Sequence, residues 1–583
     1  MLKLLRFLKP YWWQVIILVF LVGAQVYTTL QLPSLMADII NQGIVTGDTD
    51  HIWQIGLEMA ALTVFSAVCS LASGYLSARI GAYFIRDVRA KIFEKIMILN
   101  TSDLEHFSTA SLINRTTNDT NQVQQTVVMM LSLMLHAPLF CIISLIMAIQ
   151  TAPDMSWIIA LGIVAVLGSV ILIMSLVIPK FKIFQTLVDR ITLITRENLT
   201  GLKVVRAFNK EKTEEKKFKQ TNDKLTKLLI FIDRILELQN PIINIVLNGL
   251  TLLCTFVGIT LLTKDYSYLG SMTAFAQYVT FVMMSFLMLS ILFVMLPRAN
   301  VSAGRINEVL NSEPKVHWKE KTIGVPDKVP SVEFKNVDFY YTNAGEKVLE
   351  NISFVAKAGE TTAFIGSTGS GKSTLINLVP RFYEPTSGEV LVNGINTHDY
   401  EKDDLMKRIG LVPQHGILFS GTVASNIRFG AQSATDTQVK EAAKIAQASS
   451  FVEKMPNGYN SHIAQGGSNV SGGQKQRLSI ARAICKNPDI YIFDDSFSAL
   501  DMKTDVKLRE ALKPVVNDAV VLIVAQRIST IKNADQIVVL DDGKIVGKGK
   551  HFDLLKNCAV YRSIVQSQLS DKEFTRELKE AHA

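Results

Sequence analysis

Through its first 300 residues the chain is written in long apolar runs, roughly 12–33, 55–80, 125–150, 155–178, 238–263 and 272–296. Each is near or above the ~20 residues that a helix needs to cross the hydrocarbon of a bilayer. Backbone groups in hydrocarbon must pair within their own segment, so every run is predicted to be a helix. Pro33, Pro138 and Pro241 stand in or beside these runs, where a proline can kink a helix or end it. The first run follows Lys3, Arg6 and Lys9 in the manner of a secretory leader. It is too long for one, lacks a small-residue cleavage site and precedes further spans, so it is read as a retained first span with a cytoplasmic N-terminus.

The connections between the runs alternate in character. Those joining the first to the second, the third to the fourth and the fifth to the sixth are short and hold Lys264 as their only Lys or Arg, which places them outside. The other two, about residues 81–124 and 179–237, are long and rich in Lys and Arg, and the same charge bias places them inside. Apolar residues recur at helical spacing through Phe84, Val88, Ile92 and Ile96, and through Phe181, Phe184, Leu187, Ile191 and Ile194. The spans are therefore expected to continue as helices into the cytoplasm. Each extension needs a hairpin turn far below the membrane, expected near residues 108–119 and 206–214, with Asn114 and Asn209 at the tips.

Composition agrees with this reading. Of 583 residues, 48% are apolar and 19% charged, a balance that favours a lipid-facing portion over a soluble enzyme. The formal net charge of +8 fits either a polyanion partner or the inside bias of a membrane protein. The basic cytoplasmic connections favour the second, and no nucleic-acid partner is expected. The five cysteines form no CxxC pair and no metal-ligand spacing, and three lie in apolar runs, so they read as buried thiols.

Near residue 300 the apolar spans stop. Residues 1–300 are read as the membrane domain and 301–330, with Pro314, Pro326 and Pro330, as a linker. From 331 to 567, short β-rich runs (331–341, 361–365, 490–493 and 520–524) alternate with helical stretches, the pattern of an α/β domain. Residues 568–583 are charged and are expected to form a frayed helical tail, to which no role is assigned.

The chemistry lies in the α/β region. The strand-like run 361–365 leads into G-S-T-G-S-G-K-S-T (Gly366, Ser367, Thr368, Gly369, Ser370, Gly371, Lys372, Ser373, Thr374) and then into a helical L-I-N-L. This is a P-loop in its proper context. Backbone N–H groups of the glycine turn converge on phosphate oxygens, Lys372 adds a point charge for the β and γ phosphates, and Ser373 offers a hydroxyl to magnesium. Magnesium then needs a carboxylate at the end of another strand, and I-Y-I-F-D-D supplies Asp494, followed by Asp495. Between the two, residues 470–483 (V-S-G-G-Q-K-Q-R-L-S-I-A-R-A) read as a Gly-Gly turn opening a serine-capped amphipathic helix.

In that segment Ser471, Gly472, Gly473 and Gln474 resemble the signature sequence of ATP-binding cassette (ABC) proteins. Other pieces follow in the family's order. Tyr341 resembles the aromatic that stacks on adenine, Gln414 in L-V-P-Q the loop glutamine near magnesium, and S-A-L-D, ending at Asp501, the segment that crosses a dimer interface. Six spans with long cytoplasmic extensions before the cassette resemble the half-transporter exporters of this superfamily. The resemblance implies a type I exporter fold: six transmembrane helices fused to an α/β P-loop nucleotide-binding domain. Two cassettes would sandwich two ATP molecules with Mg2+, each held by the P-loop of one subunit and by the signature of the other. Ser471, Gly472, Gly473 and Gln474 would thus cap the partner's ATP, while Ser373, Gln414 and Asp494 would hold the metal.

Two positions depart from the family. After the magnesium aspartate the family has a glutamate that polarises the attacking water, and here Asp495 is one methylene shorter. A ~1 Å misplacement can cost on the order of 100-fold in rate, so Asp495 is expected to be a poor base. Where the family has a histidine at the γ-phosphate, V-A-Q-R places Gln526, which has no titratable ring. This pairing, beside an intact P-loop and signature, resembles the degenerate-site subunit of heterodimeric bacterial multidrug exporters.

The resemblance implies a multi-pass subunit in the bacterial plasma membrane, cassette inside, paired with a second homologous half-transporter whose site carries most of the hydrolysis. The expected cargo is a hydrophobic or cationic small molecule. Lipid or peptide export, or a homodimeric slow ATPase, are the alternatives. Glu237 at the cytoplasmic edge of the fifth span either attracts a cation or snorkels to water. Phe275, Phe281, Met283, Met284, Phe286, Met288 and Phe293 make the sixth span soft and aromatic, suited to apolar ligands or simply to helix packing.

Overall fold

The computed structural model describes residues 1, 3–104, 107–262, 268–324, 326, 329–341 and 345–582. The chain divides into two compact units, Met1–Met97 with Ser108–Ser312, and Ile98–Phe107 with Glu313–Ala583.

In the first unit, six helices among the described residues are long and apolar enough to cross a membrane. They are Trp12–Asp38, Thr49–Ile98, Thr120–Thr151, Trp157–Thr200, Gln239–Leu262 and Tyr268–Asn311. Their apolar residues are not confined to one stripe: Phe20, Leu71, Ile245 and Leu252 are 74%, 76%, 72% and 71% exposed. A helix that is apolar all round and unburied by its neighbours is one whose outer face is solvated by lipid. Pro33 and Pro138 lie inside helices, and Pro241 falls in the first turn of its own, where a missing N–H costs nothing. The outward position expected for Lys264 lies outside the described residues.

The second helix runs unbroken for 50 residues, about 75 Å at 1.5 Å per residue, against ~30 Å of hydrocarbon. It therefore carries the first cytoplasmic extension within itself, with Phe84, Val88 and Ile92 buried. The fourth helix, of 44 residues, does the same for the second extension, where Ile194 is buried but Phe181 stays exposed.

The first turn is not where the sequence placed it. The long helix stops at Ile98, and a new helix starts at Thr109 beneath Ser108, whose Oγ accepts from Ser111 N at 3.2 Å. Asn114 thus sits inside the returning helix. The polar run after it reads as a loop because its polar groups are paired across the helices. Arg115 Nη1 donates to Arg305 O at 2.9 Å and meets Glu308 at 2.8 Å, and Ser302 Oγ donates to Asp119 at 2.8 Å. The second turn falls as expected: Leu202–Ala207 ends before Asn209, which takes φ +50°, and Glu211–Glu237 begins two residues later. Glu237 closes that helix and is exposed.

The linker begins later than residue 301. Ala299, Ala303, Ile306 and Val309 are fully buried at helical spacing, so the sixth helix continues to Asn311 and the linker is left with 312–330.

The cassette is built on β1 (Ser331–Phe339), β2 (Leu349–Lys357), β3 (Thr361–Gly366), β4 (Ser387–Val392), β5 (Ile395–Asn396), β6 (Ile409–Val412), β7 (Gly421–Thr422), β8 (His462–Ile463), β9 (Ile490–Asp494), β10 (Val520–Val524), β11 (Gln536–Asp541) and β12 (Lys544–Gly549). An antiparallel sheet has the order β2-β1-β4-β5, and the central sheet the order β12-β11-β3-β10-β9-β6. All central pairings are parallel except the β11–β12 hairpin. Strands β9 and β10 are buried at every position, as continuous apolar runs in a parallel sheet must be.

The C-terminal tail is docked, not frayed. Helix Asp571–His582 lays Phe574 and Leu578 against the cassette core and buries Ala581. All five cysteines are free thiols, buried or half-buried.

Candidate ATP-binding site

The site forms where β3, β9 and β10 end side by side. Strand β3 delivers Gly366, and helix Lys372–Leu378 follows the loop. The glycines are obligatory for two different reasons. A Cβ on Gly366 would stand 2.0 Å from Leu540 O. Gly371 has φ +91°, and a Cβ there would lie 2.7 Å from Leu349 Cδ2.

Lys372 is 9% exposed and folded back on its own loop. Its Nζ donates to Gly366 O at 3.0 Å, Ser367 O at 2.6 Å and Ser370 Oγ at 3.2 Å. Burial pulls the ammonium below its ordinary pKa, and the nearby Asp495 and Asp494 charges pull it back up. Ser370 Oγ closes the turn on Ser367 O at 2.8 Å, and Ser367, Thr368 and Gly369 form its rim. Thr374 Oγ1 shares a hydrogen bond of 3.0 Å with Tyr341 OH. Tyr341 meets Phe339 and Tyr383 edge-on at centroid distances of 5.0 and 5.3 Å, which fixes its ring beside the loop.

Asp494 at the end of β9 accepts from Ser373 Oγ at 3.0 Å. The pair offers two hard oxygens in one place, the donor chemistry that magnesium takes, and these are the residues that would hold it. Burial raises the Asp494 carboxyl, Ser373 opposes this, Asp495 adds to it and Lys372 opposes it. A cation at that position would offset the burial cost that two adjoining carboxyls carry.

Asp495 stands in the left-handed region at φ +45°, its N–H donating to Val524 O at 3.0 Å. This bond between β9 and β10 turns its side chain toward Gln526, whose Nε2 donates to Asp495 Oδ2 at 2.9 Å. Burial raises the Asp495 carboxyl most, while Ser498, Gln414, Arg527 and Gln526 each favour the charged form. Gln414 is thus placed beside the Asp495 carboxylate.

The signature lies apart. Ser471 caps helix Gly472–Lys486 in a reciprocal box: Gln474 N donates to Ser471 Oγ at 3.4 Å, and Ser471 N to Gln474 Oε1 at 2.9 Å. Among the described residues, none of these hydrogen bonds reaches the P-loop. Gly473 passes under the S-A-L-D segment, where a Cβ would lie 3.2 Å from Ala499 O, and Gly472 opens to free space. Asp501 caps helix Met502–Leu512 through Thr504 N at 3.0 Å, and hydrogen bonds from the Thr504 side chain and then its backbone hold the Asp501 carboxyl below the usual range. The P-loop, Tyr341, Gln414, Asp494, Asp495 and Gln526 therefore converge, whereas the exposed Ser471, Gly472 and Asp501 and the half-buried Gly473 and Gln474 form a second surface. Sequence reasoning missed Arg527, whose Nη2 reaches Ser498 O at 3.3 Å, and Gln568, which bonds the Gln526 backbone.

Comparison with known proteins decides the family. Residues 15–286 match the ABC transporter transmembrane region and residues 349–498 the ABC transporter family. An ABC transporter ATP-binding protein of Mycobacterium tuberculosis is 38% identical over 97% of this chain and 98% of its own length. The chain belongs to the ABC transporter family. A Bacillus subtilis ABC transporter ATP-binding protein is 35% identical over 97% of this chain and 98% of its own. The ATP-dependent lipid A-core flippase of Syntrophus aciditrophicus is 31% identical over 90% and 87%. A bacterial Atm1-family ABC exporter solved with ATP bound shares the fold, with a TM-score of 0.79 at 22% identity over 97% of this chain and 99% of that one. This ABC protein is thus an ATP-hydrolysing, multi-pass membrane transporter of the exporter architecture, with its cassette in the cytoplasm. Transporters of this architecture work as dimers.

Proposed function

We propose that this chain is the degenerate-site subunit of a heterodimeric exporter of hydrophobic or cationic small molecules. The observation that carries the reading is the 2.9 Å bond from Gln526 Nε2 to Asp495 Oδ2. The two side chains that face the expected γ-phosphate and attacking water are shortened, untitratable or both, and each engages the other. A carboxylate that already accepts from an amide is a weaker base toward water, and Gln526 has no proton to give and take. Lys372, Ser373, Gln414 and Asp494 remain suited to holding Mg2+ and ATP, so this site binds and rarely turns over. Ser471, Gly472, Gly473 and Gln474 cap the ATP on a homologous partner, where most hydrolysis occurs.

A drug-like cargo fits the sixth span, where Phe281 meets Phe140 at a tilt with ring centroids 5.1 Å apart and Met284 is exposed. The Phe293 side chain lies outside the described residues. A second reading, export of a lipid, is favoured by the similarity to the flippase. Stimulation of ATPase activity by a panel of lipophilic cations and of lipids separates the two. Robust hydrolysis by this chain purified alone, at the rate of a consensus exporter, overturns the heterodimer reading.

A further inference from the structure

The cassette's last helices reach back to the nucleotide site. Helix Ala559–Gln568 ends in a side chain that brackets the loop after β10. Gln568 Nε2 donates to Gln526 O at 2.7 Å, and Gln568 Oε1 accepts from Ile528 N at 2.9 Å. Both functions of one amide are spent on backbone that leaves β10: Gln526 O in the three-residue loop 525–527, and Ile528 N at the start of helix Ile528–Ile531. A loop carbonyl outside a ladder and a helix-start N–H both need partners, and here one side chain supplies them.

A second tie holds the far end of the same segment. Lys532, the residue after helix Ile528–Ile531, pairs with Glu577 of helix Asp571–His582. The other oxygen of Glu577 meets His551 Nε2 at 3.1 Å, and His551 Nδ1 meets Tyr561 OH at 2.7 Å. His551 and Tyr561 are buried, so the tie is anchored in the core and not at a mobile surface. The segment 526–532 is thereby gripped at both ends by the two terminal helices, and from it Gln526 reaches Asp495 and Arg527 reaches Ser498 O.

We propose that Gln568 is a positioning residue for the nucleotide site: it holds the backbone of Gln526 and Ile528, sets where the Gln526 amide stands, and so sets the preference for ATP over ADP. The proposal rests on the reading that Gln526 faces the γ-phosphate. Only ATP carries that phosphate, so loosening the loop weakens ATP and leaves ADP as it was. A helix that merely braced the fold would move both nucleotides together, along with thermal stability.

The test uses the full-length chain in detergent, with Mg·ATP and Mg·ADP dissociation constants measured by competition against a fluorescent ATP analogue. Gln568→Leu removes both bonds at nearly constant volume. Gln568→Glu keeps the acceptor for Ile528 N but sets a carboxylate against Gln526 O, and it serves if the leucine variant folds poorly. Each variant is expected to lower the ATP-to-ADP affinity ratio about 3- to 10-fold, the effect of one or two net hydrogen bonds, with ADP affinity and Tm near those of the parent. Gln526→Ala, measured alongside, is expected to lower the ratio as well. If Gln526→Ala lowers it and the Gln568 variants do not, the positioning role is overturned. A parallel loss of both affinities and of Tm also overturns it, leaving a brace of the fold. If Gln526→Ala leaves the ratio unchanged, the γ-phosphate reading fails and takes the proposal with it.

Discussion

Gln526 and Asp495 lie 31 residues apart in the chain and are joined by a 2.9 Å hydrogen bond across the ends of β9 and β10. A direct bond makes two substitutions interdependent, because each changes the surroundings in which the other acts. Asp495→Glu adds the missing methylene but leaves the amide in its path. Gln526→His supplies an imidazole but faces a short carboxylate.

The double variant should therefore exceed the sum of the singles. Expressed as transition-state free energies, the cycle is expected to show a favourable coupling of about 0.5–3 kcal/mol in the ATP turnover of the reconstituted pair. Turnover of the double variant should rise on the order of ten-fold or more, the low end of what a positioned general base contributes. Steady-state phosphate release measures it, and an unchanged rate in all three variants counts against the degenerate-site reading.

Ser471 has two duties that substitution can separate. Ser471→Ala removes the N-cap of helix Gly472–Lys486 and should cost about 1 kcal/mol of cassette stability. It should also slow hydrolysis at the partner's site. Ser471→Asp keeps a capping oxygen but brings a negative charge toward a phosphate, so Tm should recover while turnover stays low. Recovery of both would show that the serine acts as a cap alone.

His551 supplies a pH dependence. Burial pushes its imidazole below the ordinary histidine range, opposed by the Glu577 carboxylate and reinforced by Lys532. The folded cassette thus holds it neutral, whereas the unfolded chain protonates it near pH 6.5. Below that pH the unfolded state binds the extra proton, so stability present above pH ~6.5 is lost as pH falls through the folded-state value. The unfolding midpoint of the full chain should drop between pH 7 and pH 5.5 more steeply than that of His551→Gln. Equal slopes would contradict the assignment.

Much of this is legible in the sequence alone. Apolar periodicity is local, so the six spans and the continuation of Phe84, Val88 and Ile92 into the cytoplasm could be read directly. The P-loop was legible because its glycines, lysine and strand are contiguous. The first hairpin turn was not, because Arg115 and Asp119 look like loop residues until Arg305, Glu308 and Ser302 are brought to them. The charged tail was misread for the same reason, its Glu577 being satisfied by Lys532 and His551.

The order of elements, the membrane character of the first half and the chemistry of the phosphate loop were determined by the sequence itself, through patterns that repeat every few residues. Only the tertiary structure decided that Gln526 grips Asp495, that Gln568 grips the Gln526 backbone, and that the signature stands away from its own P-loop. Those relations join polar groups tens of residues apart, and a polar residue carries no mark in the chain of which distant partner will satisfy it.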